Sequence, residues 1–278
     1  MEVGAEAKKI KKSAEKWIVP LARFGYAAKG TVYSIIGFVA AYAAYRSNGM
    51  TTGSQGALET ILRQPFGRIL LGIVAFGLFG YAVWRLVQAV KDTENKGTGI
   101  KGIIRRIMYA GVGFVYFGLT FYAIRLIFDL SNAGSGGGDS KKEWTEMIMS
   151  QAYGQFIIAA VGCGFTGYGI YQIYKAYSEK FREKLMTERM SKQVVKNVVR
   201  IAKTGLTARG IVFGVIGFFL MRAAVNYNPQ QVKGFGEALR SLEQQPYGIY
   251  ILGIVALGLI AYGFYLIILA IYRRIIIR

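Results

Sequence analysis

An all-α integral membrane fold, with six transmembrane helices arranged as three parallel-repeated helical hairpins, follows from three observations. Hydrophobic residues make up 53% of the 278 and gather into six runs, each long enough to cross a hydrocarbon core of about 30 Å. The runs are continuously apolar, whereas a transmembrane barrel would alternate in segments of about ten residues, and a helix satisfies its own backbone hydrogen bonds in lipid. Short motifs also recur three times along the chain. An even number of helices per unit makes successive units parallel, which suggests a pseudo-threefold bundle rather than an inverted repeat.

A basic segment, residues 1–16, precedes the first run. That run continues to Tyr45, too far for the short apolar region of a cleaved secretory signal. Repeat 1 (17–95) places helices at about 24–45 and 67–90, and repeat 2 (96–180) at about 107–128 and 154–177. Repeat 3 (181–278) places them at about 206–226 and 247–271, behind a basic amphipathic lead running from Phe181 through Leu185 and Val194 to Val198. The first helices share Gly30-Thr31-Val32-Tyr33, Gly113-Phe114-Val115-Tyr116 and Gly210-Ile211-Val212-Phe213, at offsets of 83 and 180. The second helices open with Gln64-Pro65-Phe66-Gly67, Gln151-Ala152-Tyr153-Gly154 and Gln245-Pro246-Tyr247-Gly248, at offsets of 87 and 181. Before each of these turns a short amphipathic stretch (Leu58, Ile61 and Leu62; Met147 and Ile148; Leu239 and Leu242) is expected to lie flat at the outer interface.

These residues carry a resemblance. Ala22-Arg23-Phe24-Gly25-Tyr26, Gly30 to Tyr33, Gln55-Gly56-Ala57-Leu58, Gln64 to Gly67, and the stretch from Gly80-Tyr81-Ala82-Val83-Trp84 to Ala89 are similar to the bacterial membrane family known as domain of unknown function 1206. The resemblance implies a two-helix membrane unit in three tandem copies and brings no activity with it. The middle repeat is looser, with Ala152 in place of proline and a glycine-rich insert at 134–138.

Charge sets the orientation. The chain has a net charge of +20, and of its 35 Lys and Arg residues 26 fall on the side that holds both termini and 9 on the other. The positive-inside rule then places both termini in the cytoplasm of a multi-pass protein of the bacterial inner membrane. Basic residues that hug the membrane imply anionic lipid headgroups on the cytoplasmic side as the partner, with no nucleic acid. A membrane-protein partner or a homo-oligomer is also expected.

Small residues and aromatics supply the candidate sites. Gly30, Gly37, Gly77, Gly113, Gly164, Gly210, Gly214 and Gly258 are read as helix-packing positions, since small residues let backbones approach in lipid. Tyr81 with Trp84, Tyr168 with Tyr171, and Tyr262 with Tyr265 share a helix face at i, i+3 spacing and are candidate cavity-lining residues. Arg125 and Arg222, equivalent positions near the outer ends of the third and fifth helices, are candidates for binding an anion or headgroup, Arg125 also being one turn from Asp129. Lys29, Arg85 and Arg209 are expected to snorkel to headgroups.

The exclusions are equally informative. The chain has no histidine, one cysteine (Cys163), no phosphate loop and no mid-span carboxylate. No catalytic residue, metal or cofactor is expected, and a proton relay or cation-coupled pump is disfavoured. The reading is a non-catalytic scaffold or accessory membrane protein. The alternative is a carrier, channel or lipid-binding protein for a small solute, anion or lipid, with its cavity on the pseudo-threefold axis.

Overall fold

A computed structural model describes residues 2–46, 51–91, 99–128, 139–151 and 153–274. The insert at 134–138, Ala152 and Asp129, the expected partner of Arg125, lie outside the described residues. Six helices are long and apolar enough to span a membrane: α1 (Glu2–Arg46), α3 (Gly67–Val90), α4 (Ile100–Ile127), α6 (Gly154–Tyr177), α7 (Lys192–Val225) and α9 (Gly248–Tyr272). Three short helices, α2 (Ser54–Leu62), α5 (Asp139–Met149) and α8 (Phe235–Glu243), fill the connections at the end opposite the termini.

The spanning helices pack in a cyclic order. Each second helix lies against the first helix of the next repeat: α3 on α4, α6 on α7, and α9 back on α1. One repeat position governs all three contacts. A Cβ on Gly30 would stand 2.8 Å from the carbonyl oxygen of Gly263, and one on Gly210 would stand 2.7 Å from that of Gly169. At Gly113 the equivalent carbonyl, that of Ala82, is 3.4 Å away. Backbones this close gain dispersion contacts that no larger residue would permit.

Closure within the hairpins is less regular. α1 packs on α3 and α7 on α9, but α4 and α6 share no packed interface. Only 22% of the apolar stretch of α4 and of α6 is buried inside the bundle, against 44–56% for the other four. The ring is therefore open at one seam.

The turn into each second helix explains its motif. Phe66 and Tyr247 adopt left-handed conformations, each with φ of 59°, and the following Gly67 or Gly248 has no room for a side chain against the preceding short helix. Those short helices do not lie flat on lipid as expected. Ala57, Leu58, Ala238 and Leu239 are fully buried, so α2 and α8 cap the ring, joined where Thr51 Oγ1 donates to the Gly236 carbonyl at 2.8 Å. The basic lead into repeat 3 divides in two: Val194 and Val198 lie on the long helix, which starts at Lys192 and is capped by Ser191. Phe181 and Leu185 are instead buried in a turn segment, tied to the chain's end by an antiparallel bridge between Leu185 and Arg273.

Candidate functional site

Each first helix offers the axis one residue, immediately before its shared glycine. It is Lys29 in repeat 1, Val112 in repeat 2 and Arg209 in repeat 3. The two cations are 2% and 8% exposed, so the snorkelling expected of them is corrected: they point inward, to aromatic rings rather than headgroups. Their surroundings obey the repeat. Lys29 Nζ lies 4.4 Å from the ring centre of Tyr81, 5.8 Å from that of Tyr33 and 4.8 Å from that of Tyr116. Arg209 Cζ lies 5.0 Å from Tyr262, 4.8 Å from Phe213 and 5.7 Å from Tyr33. In both cases the cage is the tyrosine of the same hairpin, the aromatic of the same helix, and the aromatic of the next first helix.

Lys29 and Arg85 share one hydroxyl acceptor. The Tyr81 oxygen accepts from Lys29 Nζ at 2.9 Å and from Arg85 Nε at 2.8 Å, and Arg85 Nη1 donates to Gln88 Oε1 at 2.9 Å. Arg209 donates to Tyr33 at 3.3 Å and, from Nη1, to Tyr168 at 3.1 Å. Tyr168 would face a repeat-2 cation, had Val112 been one. Toward the end that holds the termini, Arg273 donates to the Tyr26 hydroxyl and covers its ring at 4.7 Å. Lys175 stands within electrostatic reach of Arg85, Arg209, Arg273 and Lys184.

Among the described residues, the partners of Lys29, Arg85 and Arg209 are hydroxyls, one amide and ring faces, with no carboxylate. Ring faces return about 0.5–2 kcal/mol per cation, whereas removing a cation from water costs several. The carboxylates lie elsewhere: Glu59 and Glu237 in the short helices at the outer end, accepting from Tyr122 and from the Gly234 amide, and Glu179 and Glu188 at the surface near the termini. Glu179 accepts from Lys203 at 2.7 Å and Arg182 at 2.8 Å, and Glu188 from Arg274 at 2.8 Å. Hydrogen bonds from Lys203 and then Arg182 hold the Glu179 carboxyl below the usual carboxylate range. Among the described residues the core cluster is thus a group of cations without a carboxylate counterion.

Side chains rather than an open bore fill the axis. Tyr33, Tyr81, Tyr116 and Tyr262 are buried, and Phe235 of α8 closes the outer end against Tyr33 at 5.8 Å and Phe213 at 6.2 Å.

The residues singled out from sequence distribute as follows. Tyr81, Trp84, Tyr262 and Tyr265 are buried, Tyr168 is half-buried, and Tyr171 is 43% exposed. Arg125 is half-buried with its guanidinium 5.9 Å from the Phe121 ring, and Arg222 is exposed; neither joins the core cations. Gly37 packs against Ile260 of α9, Gly77 against Ala28 and Gly258 against Ala208, while a Cβ at Gly164 or Gly214 would meet nothing within 4 Å. Sequence reasoning missed Lys29, Arg209, Tyr33 and Arg273. The available signal was that Lys29 and Arg209 occupy one repeat position and so must face the same surroundings. Among the described residues no cluster of His, Cys, Asp and Glu could hold a metal ion.

No solved structure matches this chain. The chain is 37% identical over 267 residues to Uncharacterized protein YxxB of Bacillus subtilis (strain 168), covering 96% of this chain and 95% of that protein. The family described as Domain of Unknown Function (DUF1206) matches it three times in tandem, at residues 24–92, 107–179 and 204–273. Those three matches coincide with the three hairpins of the ring, and the chain is a member of the DUF1206 family.

Proposed function

We propose that this multi-pass protein binds an anionic group, a phosphate or carboxylate borne by a lipid or by a solute, at the cation cluster of Lys29, Arg85 and Arg209. One observation carries the reading: Lys29 and Arg85 share the Tyr81 oxygen inside the bundle and Arg209 donates to Tyr33 and Tyr168, with no carboxylate among their described partners. A bound anion would turn mutual repulsion into attraction. The filled axis favours binding over conduction, and nothing in the site supports catalysis. The cluster sits at the end of the bundle that holds the termini, which the distribution of Lys and Arg supports as the cytoplasmic side of a bacterial inner membrane. Arg125 and Arg222 are proposed as separate headgroup contacts at the opposite interface.

The test uses the full chain in chloride-free detergent buffer. Saturating phosphate or phosphatidylglycerol should raise the unfolding midpoint, a ligand at 100 times its Kd adding about 2.7 kcal/mol, while phosphatidylcholine should not. No stabilisation by any anion, with bound lipid mirroring the bulk composition, would sink the reading. The scaffold or accessory role is the second reading, favoured by the exposed faces of α4 and α6. Stoichiometric capture of a membrane protein on those faces would support it.

A further inference from the structure

The two hairpins that close do so through a glycine. A Cβ on Gly25 would stand 2.5 Å from the Tyr81 backbone nitrogen, and one on Gly205 would stand 2.5 Å from the Tyr262 Cα. The middle hairpin has Met108 at that repeat position. A methionine cannot approach the Tyr168 backbone as the glycines approach theirs, because a Cβ and a flexible thioether chain must first be housed. The rest of the closing face is small. Gly111 stands where the sister hairpins have Ala28 and Ala208, Gly164 where they have Gly77 and Gly258, and Gly167 where they have Gly80 and Ala261. A Cβ at Gly111, Gly164 or Gly167 would meet nothing within 4 Å. One residue wedges apart a hairpin otherwise shaped to close.

The slot opens on the corner of the cage that lacks a cation. Tyr168, its inner wall, is half-buried where Tyr81 and Tyr262 are buried, and its hydroxyl accepts from Arg209. Tyr171 is exposed where the equivalent Trp84 and Tyr265 are 2% and 3% exposed. Ile104, Ile107 and Met108 are exposed along α4, and Gly164 and Gly167 along α6. The slot therefore has apolar sides and a positively charged inner end, the complement of an amphiphile with an anionic head.

We propose that the slot between α4 and α6 is a lateral portal, held open by Met108, through which an anionic phospholipid sets its headgroup on the cation cluster while its acyl chains stay in the bilayer. This rests on the anion-binding reading and adds to it the source of the anion and its route.

The test seals the slot. Gly111→Cys and Gly164→Cys are placed in the Cys163→Ala chain; closure as in the sister hairpins would bring the two cysteines into disulfide range. Oxidation should give no intramolecular disulfide while Met108 is present, and should give one once Met108→Gly is added. In nanodiscs of phosphatidylglycerol in phosphatidylcholine, native mass spectrometry should then show bound phosphatidylglycerol falling at least tenfold between the reduced and oxidised forms of that variant. Stabilisation by inorganic phosphate, small enough to arrive from the end that holds the termini, should persist. The reduced form reports that the variant folds. Ready disulfide formation with Met108 in place would overturn the wedge. Undiminished phosphatidylglycerol in the sealed form would overturn the portal. Failure of both phosphate and phosphatidylglycerol to bind the parent chain would instead overturn the anion-binding reading beneath it.

Discussion

Replacing Lys29 with methionine should leave the stability of the anion-free protein within about 1 kcal/mol of the parent's and should weaken anion binding. Lys29 and Arg85 both donate to the Tyr81 oxygen, at 2.9 and 2.8 Å. Two positive charges held that near one another repel by about 3 kcal/mol at an effective dielectric of about 20. Against this relief, the variant loses three ring contacts worth roughly 0.5–1 kcal/mol each and a hydrogen bond worth about 1 kcal/mol. Tyr81 keeps Arg85 as a donor, so no buried acceptor is orphaned, and methionine fills much of the lysine stem. The opposing contributions come within about 1 kcal/mol of cancelling. Binding has no such offset, since one of the charges that would meet the anion is gone; a loss of about 1.4–2.8 kcal/mol is a ten- to hundredfold rise in Kd. The assay is reversible unfolding in mixed micelles, with and without a phosphate titration. Destabilisation by more than about 2 kcal/mol together with an unchanged phosphate Kd would refute the reasoning, because Lys29 would then be a structural member of the aromatic core.

The open seam predicts opposite outcomes for one substitution at one repeat position. Gly77→Ala drives a methyl into Ala28 and should cost about 1–3 kcal/mol, while Gly164→Ala, facing open space, should stay within about 0.5 kcal/mol in the same unfolding assay. Equal costs would mean that α4 and α6 close in solution. Near the termini, the lowered pKa of Glu179 has a definite sign. Its tie to Lys203 and Arg182 is fully present above the ordinary value of 4.5 and is lost as pH falls through the lowered folded-state value. Protection factors across 179–190, taken relative to the intrinsic exchange rate at each pH, should therefore be higher at pH 6 than at pH 3, and Glu179→Gln should abolish the difference.

Much of the architecture was legible in the residues because lipid imposes few solutions. A continuous apolar run of sufficient length has to be a helix, and a motif repeated at constant offset has to recur in equivalent surroundings. The Gln-Pro-aromatic-Gly turns were visible for the same reason, since Pro65 and Gly67 mark a stop and a tight approach, although the left-handed Phe66 between them was not foreseen. The fate of the short outer helices was not legible. Their amphipathic pattern specifies one buried face without saying whether lipid or protein covers it, and Leu58 and Leu239 went to protein. The core cations were not legible either, because distance from a helix end does not decide where a charged head goes. A long side chain can turn either way at that depth, and Lys29 and Arg209 turn inward because three aromatic rings meet the first there and four the second.

The middle repeat shows why symmetry alone could not predict the site. Three closed hairpins with three axial cations would enclose a third positive charge beside two that already lack counterions, and would leave an anion no lateral way in. This chain departs from that pattern at two neighbouring positions of α4: Met108 prevents the close approach and Val112 removes the cation. The departures are physically coupled. A lysine or arginine at 112 would stand beside the open slot and face hydrocarbon, at a cost of at least about 2.5 kcal/mol, so the corner that opens has to be the corner without charge. Conversely, restoring glycine at 108 while keeping Val112 would close an uncharged corner over two cations. Arg209 already bridges this asymmetry by donating to Tyr168, placing charge at the inner end of an apolar opening without exposing it to the lipid.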